Sequence, residues 1–477
     1  MEDMSMVFSS MVFLWIFLPA ILAAYFICPG KGKNLLLVLF SLVFYAWGEP
    51  VYILLMLFSV IINFVSGICL ERFPDRKKII LAVCILANLS LLGYFKYFNF
   101  AVRLINRLFS AAGISLLSAR EIALPVGISF YTFQALSYVI DVYRGEVKSQ
   151  RNFLHMLLYI SFFPQLIAGP IVKYHDIEEQ ISSRVVTADK FASGVCRFIC
   201  GLGKKVILSN TFAVYVDSIH GCDFGQVSSA SLWLAALFYM LQIYFDFSGY
   251  SDMAIGLGRM FGFHFQENFD LPYISVSVRE FWRRWHISLS SWFRDYLYIP
   301  LGGNRKGTLR TYLNLLIVFL ATGLWHGAGW NFVLWGLYHG FFLILERTFP
   351  GKLLERCPRI IGHVYTLAEV FFGWILFRAA SITDAVSFVK NMFLFHGGMA
   401  DAALFDGKLA LFLAAGILLA GPVPYLKKKM SVSESGTENK GEWNISLPSI
   451  LGCMLILWYS VMLLINNTYN PFIYFRF

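Results

Sequence analysis

The sequence predicts an all-α polytopic membrane protein, on three observations. Hydrophobic residues make up 58% of the 477-residue chain and charged residues only 14%, where soluble domains carry about 25% charged. Apolar runs recur along its whole length, several near the roughly 20 residues that cross a hydrocarbon core about 30 Å thick. Lys and Arg gather in the short connections between the runs, as the positive-inside bias requires.

The runs are, in order, residues 6–28, 34–47, 50–70, 79–94, 232–244, 312–325, 332–345, 364–377, 409–426 and 447–465. The shorter ones must extend through their flanks, tilt or enter without crossing. Glu2 and Asp3 precede the first run in place of a basic n-region, which predicts a retained helix and not a cleaved leader. Lys31 and Lys33, then Arg72, Arg76, Lys77 and Lys78, fall in alternate connections, which puts the amino terminus outside. Between residues 122 and 215 the runs are broken by Gly, Pro and charge. Irregular backbone at membrane depth survives only where protein or a water-filled cavity satisfies it, so broken or re-entrant helices around an internal cavity are expected there. Ten to thirteen helices result. They form a single integral-membrane domain over 1–477, with one polar cytoplasmic loop at 427–443 that contains the sequence SVSESGTENKGE.

A net charge of +10 suggests nucleic acid in a soluble protein. Here the excess is juxtamembrane, where it meets anionic lipid, and no nucleic-acid partner is expected. The eight cysteines contain no CxxC, and Cys196 and Cys200, one helical turn apart, lack further ligands to complete a zinc site. No metal is expected. No period of 20 to 50 residues stands out, which disfavours tandem repeats.

Chemistry concentrates in two islands. VREFWRRWHISLSSWFRDYLYIPLGGNRKG, 278–307, spaces Trp282, Trp285 and Trp292 along roughly one helical face and reads as an amphipathic helix in the interface, with His286 unexplained by that role. GLWHGAGW, 323–330, sets His326 between apolar runs. An ionisable group at membrane depth is a functional-site hypothesis by default, and Gly327 and Gly329 allow a substrate or another backbone to come close. His339 lies thirteen residues on, about 20 Å and about 220° round a straight helix, so it surrounds His326 without sharing its reacting atom unless the glycines break the helix. HExxH and GxSxG are both missing, which removes zincin and serine-hydrolase readings. General base catalysis remains, an uncharged imidazole taking a hydroxyl proton as that oxygen attacks an activated acyl group. Asp246 and Asp252 in YFDFSGYSDMAIGLG, and Gln134 with Asp141 one helical face apart, need partners across helices and read as supporting residues.

FWRRWHISLSSWFRDYLYIPLGGNRKG, TGLWHGAGWNFVLWGLYHG, PVGISFYTFQALSYVIDVYRG, FFPQLIAGPIVKY and the ending NPFIYFRF together resemble the membrane-bound O-acyltransferase superfamily, most closely its bacterial alginate O-acetyltransferase branch. The resemblance runs from about residue 12 to the end. It implies a ring of helices around a central funnel, with His326 at the superfamily's histidine position and His286 at its second position. It implies an acyl group taken from a cytoplasmic thioester, acetyl-CoA being the expected co-substrate. The group then passes to the outer face of a bacterial plasma membrane, where an SGNH-like extracytoplasmic acetyltransferase partner completes acetylation of an exopolysaccharide or cell-wall polymer. His286 is expected to orient the thioester or stabilise the oxyanion. Arg305 and Lys306 are candidate contacts for a phosphorylated donor. Three alternatives stand beside this reading: D-alanyl transfer to teichoic acid, transport of an envelope precursor, and a scaffold without chemistry.

Overall fold

The computed structural model describes residues 6–114, 116–119, 121–395, 397, 405–435, 446–466 and 469–473. Every regular element among them is helical. Among the described residues seven helices are long and apolar enough to cross a membrane: Ile53–Arg72, Pro74–Ala111, Ser229–Met260, Thr308–His326, Arg359–Arg378, Gly407–Met430 and Leu447–Asn466; Phe13–Ile27 and Trp330–Leu345 are shorter apolar helices. The predicted class, a polytopic all-α membrane protein, holds.

Several boundaries differ from the sequence reading. The run at 79–94 is the first half of a 35-residue helix, Lys77–Ala111, because its polar continuation keeps helical periodicity after the apolar stretch stops. The run at 409–426 is interrupted at Gly421, between Gly407–Ala420 and Pro422–Ser435, where a proline suits the first turn of the second helix. The expected polar loop at 427–443 begins as helix through Ser435, and 436–443 lie outside the described residues. From Ile128 to His220 the chain does break into short pieces, including Phe153–Ser161, Phe163–Leu166 and Tyr174–Ser182.

The residues form two compact units, one of 1–191 with 257–266 and the other of 192–256 with 267–477. In the first, Ile53–Arg72 packs against Lys77–Ala111 and Ile128–Arg144. The first of these contacts is held by a reciprocal amide pair, Asn63 Nδ2 to Asn88 Oδ1 at 3.0 Å and Asn88 Nδ2 to Asn63 Oδ1 at 3.1 Å, which satisfies both groups where lipid offers no alternative. Gln134 is fully buried on Ile128–Arg144, and its side-chain amide has no hydrogen-bond partner among the described residues. One face along, buried Asp141 lies 3.1 Å from His175 Nδ1, whose Nε2 is 3.3 Å from Asp176. These carboxylates raise the His175 imidazole to about 10.

The second unit is organised by the antiparallel pair Thr308–His326 and Trp330–Leu345. A Cβ on Gly323 would strike the Phe332 carbonyl and one on Gly336 the Phe319 carbonyl, so the two backbones touch along a glycine seam. Glu346, at the end of the second helix, accepts the backbone N–H groups of Val278 and Arg279. It thereby caps the short helix Val278–Arg284 and fixes where the tryptophan-rich segment docks.

Candidate active site

The segment predicted as one interfacial helix is two, Val278–Arg284 and Ile287–Phe293. His286 separates them with φ 45°, ψ 56°, the left-handed region, where a non-glycine residue costs about 1–2 kcal/mol. Such strain persists only where the surroundings fix it. Trp282, Trp285 and Trp292 are all buried, so the segment belongs to the protein interior and not to a lipid surface.

Asn268 supplies the fixing. It is 2% exposed, and its Oδ1 accepts the Ser288 N–H at 3.1 Å and the Ser288 hydroxyl at 2.9 Å. Its Nδ2 donates to Ser251 Oγ at 3.0 Å. An amide oxygen held by a backbone N–H can only accept, so the contact from His286 Nδ1 at 3.2 Å puts the imidazole proton on Nδ1 and the lone pair on Nε2. Burial holds this ring down at about 3. His286 is a neutral imidazole whose remaining nitrogen accepts.

His326 is the last residue of Thr308–His326, and Gly327 follows in extended conformation. The glycines do break the helix. A Cβ on Gly327 would occupy the space of the Phe332 ring, which is the physical reason for glycine after the histidine. The imidazole, 8% exposed, sits among edge-on rings: Trp325 at 5.0 Å, Trp335 at 5.1 Å and Phe377 at 5.2 Å between centroids. Trp325 also lies 6.1 Å from His286, so one indole flanks both histidines.

Because the helix turns back, His339 comes near the same cluster after all, with Trp335 4.8 Å away on its other side. Its Nδ1 approaches Glu369 Oε1 to 2.7 Å, both side chains 1% exposed. The approach is off the line of an aligned hydrogen bond, and none is formed by either group's side-chain atoms among the described residues. It is a close approach of two polar side chains buried between two helices.

The supporting residues have structural roles. Asp246 pairs with buried Lys205 at 2.6 Å and accepts the Ile473 N–H at 2.9 Å, so it ties the NPFI part of the last motif into the core. The remaining residues of that motif, 474–477, lie outside the described residues. Asp252 receives Arg197 at 2.8 Å and Lys204 at 2.6 Å. Gln134 belongs to the other unit. Arg305 and Lys306 are exposed on the turn after Tyr298.

Two cavities are lined by residues of this unit. One, of about 360 Å³, has walls that include Trp282, Leu315, Phe319 and Thr322 and cationic lining from Arg279, Arg283 and Arg294. Its Trp282 wall lies 5.7 Å from Trp335. The other, of about 310 Å³, is lined by Arg378 and Ala379 among others, immediately after Phe377. Asn331 Nδ2 donates to the Ala379 carbonyl at 2.9 Å and holds this wall to the helix start beside Gly329.

Sequence reasoning missed Asn268, Glu369 and Asn331. A lone carboxylate inside the apolar stretch VYTLAEVFFGWILF was a readable sign for Glu369. Nothing local marked the two asparagines.

The profile described as MBOAT, membrane-bound O-acyltransferase family, matches residues 144–387. The chain is 39% identical to a probable alginate O-acetylase of Azotobacter vinelandii over 99% of this chain and 100% of that one. The chain belongs to the membrane-bound O-acyltransferase family. A probable alginate O-acetylase of Pseudomonas putida is 40% identical over 99% of this chain and 100% of its own. A peptidoglycan O-acetyltransferase of Helicobacter pylori is 36% identical over 82% and 80%. The protein is therefore a membrane O-acyltransferase, and the relatives just named act on polymers, alginate or peptidoglycan.

Proposed function

We propose that the chain transfers an acetyl group from a thioester donor to a hydroxyl on the far side of the membrane, serving O-acetylation of an envelope polysaccharide. The observation that carries this is His326 buried at a helix break among the rings of Trp325, Trp335 and Phe377. A thioester is already activated, so the protein must supply proton removal, alignment and donors for the developing oxyanion.

His326 is the general base. The acceptor oxygen attacks the thioester carbonyl as His326 takes its proton. The C–O bond forms, the C–S bond breaks, and the leaving thiolate takes up the proton from the imidazolium, which restores the base. His286 accepts through Nε2 and orients a substrate donor group other than the attacking hydroxyl, whose one proton goes to His326. Its tautomer fits that role better than the oxyanion contact expected from the sequence, which needs a donor. The buried Trp335 Nε1–H has no hydrogen-bond partner among the described residues and lies against His326, a suitable donor to the oxyanion.

The arginine-lined cavity suits the phosphorylated arm of acetyl-CoA, with Arg305 and Lys306 at the exposed turn beyond its Tyr298 wall. The positive-inside bias puts that end in the cytoplasm of a bacterial cell, and an extracytoplasmic acetyltransferase partner receives or relays the product. The experiment is label transfer from radiolabelled acetyl-CoA by the purified chain. Transfer that persists in His326→Ala, or transfer from a D-alanyl carrier in place of acetyl-CoA, contradicts the reading.

A further inference from the structure

We propose that Arg197 is a positioning residue for acyl transfer, acting through Asn268 on His286; this rests on the acyl-transfer reading above. Arg197 lies on the helix Ala188–Gly203 and is 5% exposed. A buried guanidinium is tolerated only where carboxylates meet it in good geometry. Its Nε and Nη2 donate to Asp252 Oδ1 at 3.1 and 2.8 Å. Its Nη1 donates to Glu267 Oε1 at 2.5 Å and its Nη2 to Glu267 Oε2, a two-pronged pairing for which the planar fork of arginine is suited. Lys204 takes the other Asp252 oxygen at 2.6 Å.

The two carboxylates that Arg197 bridges stand beside the support of His286. One residue along from each, Asn268 Nδ2 donates to Ser251 Oγ at 3.0 Å. Asn268 Oδ1 in turn accepts from His286 Nδ1 at 3.2 Å. The backbone follows the same path: the Ile287 N–H donates to the Asn268 carbonyl at 2.9 Å and the Asp270 N–H to the Arg284 carbonyl at 3.0 Å, on either side of His286. The stretch 268–270 and the strained histidine therefore move together, and Arg197 and Ser251 tie them to the helices.

Those helices are a rigid base. Ala188–Gly203 and Ser229–Met260 meet backbone to backbone, since a Cβ on Gly201 would strike the Gly249 carbonyl and one on Gly256 the Gly194 carbonyl. Residues 263–270 contain neither helix nor strand, so side chains decide where this segment sits. Arg197 passes the rigidity of the helix pair to the coil that carries Asn268. A lysine in its place keeps the charge and loses the fork. The helices stay packed, and His286 is displaced.

The test measures transfer from radiolabelled acetyl-CoA to hydroxylamine by the full chain in detergent. Arg197→Lys, checked for an unchanged melting temperature, should lower kcat by at least about tenfold, the lower part of the range for a misplaced reacting group, and leave KM for acetyl-CoA unmoved. The Glu267 side chain is 47% exposed, so Glu267→Gln strands no buried carboxylate and should show a smaller loss of the same kind. It carries the test if Arg197→Lys melts lower. In an Asn268→Ala background neither substitution should slow transfer further, because the group through which Arg197 acts is gone, whereas independent effects multiply. Losses that multiply, a kcat unmoved in the folded variants, or a change confined to KM overturns the positioning role while acyl transfer stands. An unmutated chain that transfers no label overturns the acyl-transfer reading as well.

Discussion

Replacing Asn268 by aspartate tests how His286 works. The amide oxygen at 3.2 Å from His286 Nδ1 becomes a carboxylate of nearly the same shape, still able to accept from Ser288 and from the Ser251 hydroxyl. An opposite charge within about 4–6 Å favours the protonated imidazole by about 1–3 pKa units, which lifts His286 from about 3 to about 4–6. The sign is set by the role. If neutral Nε2 must accept, the raised value removes active enzyme as pH falls. Transfer from radiolabelled acetyl-CoA to hydroxylamine, measured from pH 5 to 8, gives the ratio of Asn268→Asp to the unmutated protein at each pH, which cancels any limb due to His326. With a value near 5, the middle of that range, the ratio should fall about twofold between pH 7.5 and pH 5. Asn268→Ala, which removes the orienting acceptor altogether, should lower activity about 10²-fold at every pH, the scale of a misplaced reacting group. A flat ratio for Asn268→Asp, in a variant whose melting temperature is unchanged, refutes the requirement for a neutral acceptor at His286.

Three further outcomes follow from the packing. Gly336→Ala forces apart the two helices that bracket His326 and should cost about 1–3 kcal/mol, read as a lower melting temperature in detergent together with reduced transfer. Glu369→Leu leaves His339 buried without its polar neighbour and should destabilise by about 1–3 kcal/mol; His339→Leu with Glu369→Leu should recover much of that loss, and a double variant no better than the single one contradicts the pairing. His175 is raised from its ordinary 6.5 to about 10 by Asp141 and Asp176. Its contribution to stability is therefore complete below pH 6.5 and disappears as pH rises through about 10. The ring is 41% exposed, so the amount is under about 1 kcal/mol. His175→Gln should flatten that part of the melting temperature's pH dependence between 7 and 10.5.

The membrane class and most spans were legible because apolar run length is a one-dimensional property. His326 was legible for a related reason: an imidazole among Trp and Gly inside such a run has no cheap structural explanation. The break at His286 was not, since left-handed backbone belongs mainly to Gly and Asn, and its cause, Asn268, is eighteen residues away. The same distance problem hid the Lys205 to Asp246 pair and the His339 to Glu369 contact, which exist only once helices are packed. The straight-helix geometry that separated His326 from His339 failed at Gly327, a residue already marked as permissive. Arg305 and Lys306 showed the opposite weakness: charge is easily read, but the sequence does not say that Arg279, Arg283 and Arg294 are the cations lining a cavity.

The most direct measurement is single-turnover transfer from radiolabelled acetyl-CoA to hydroxylamine by purified His326→Ala beside the unmutated protein, both shown to melt alike in detergent. General base catalysis contributes about 10²–10⁴-fold, so the account predicts a rate at least a hundredfold lower in the variant. A folded His326→Ala protein that turns over at the parent rate contradicts it.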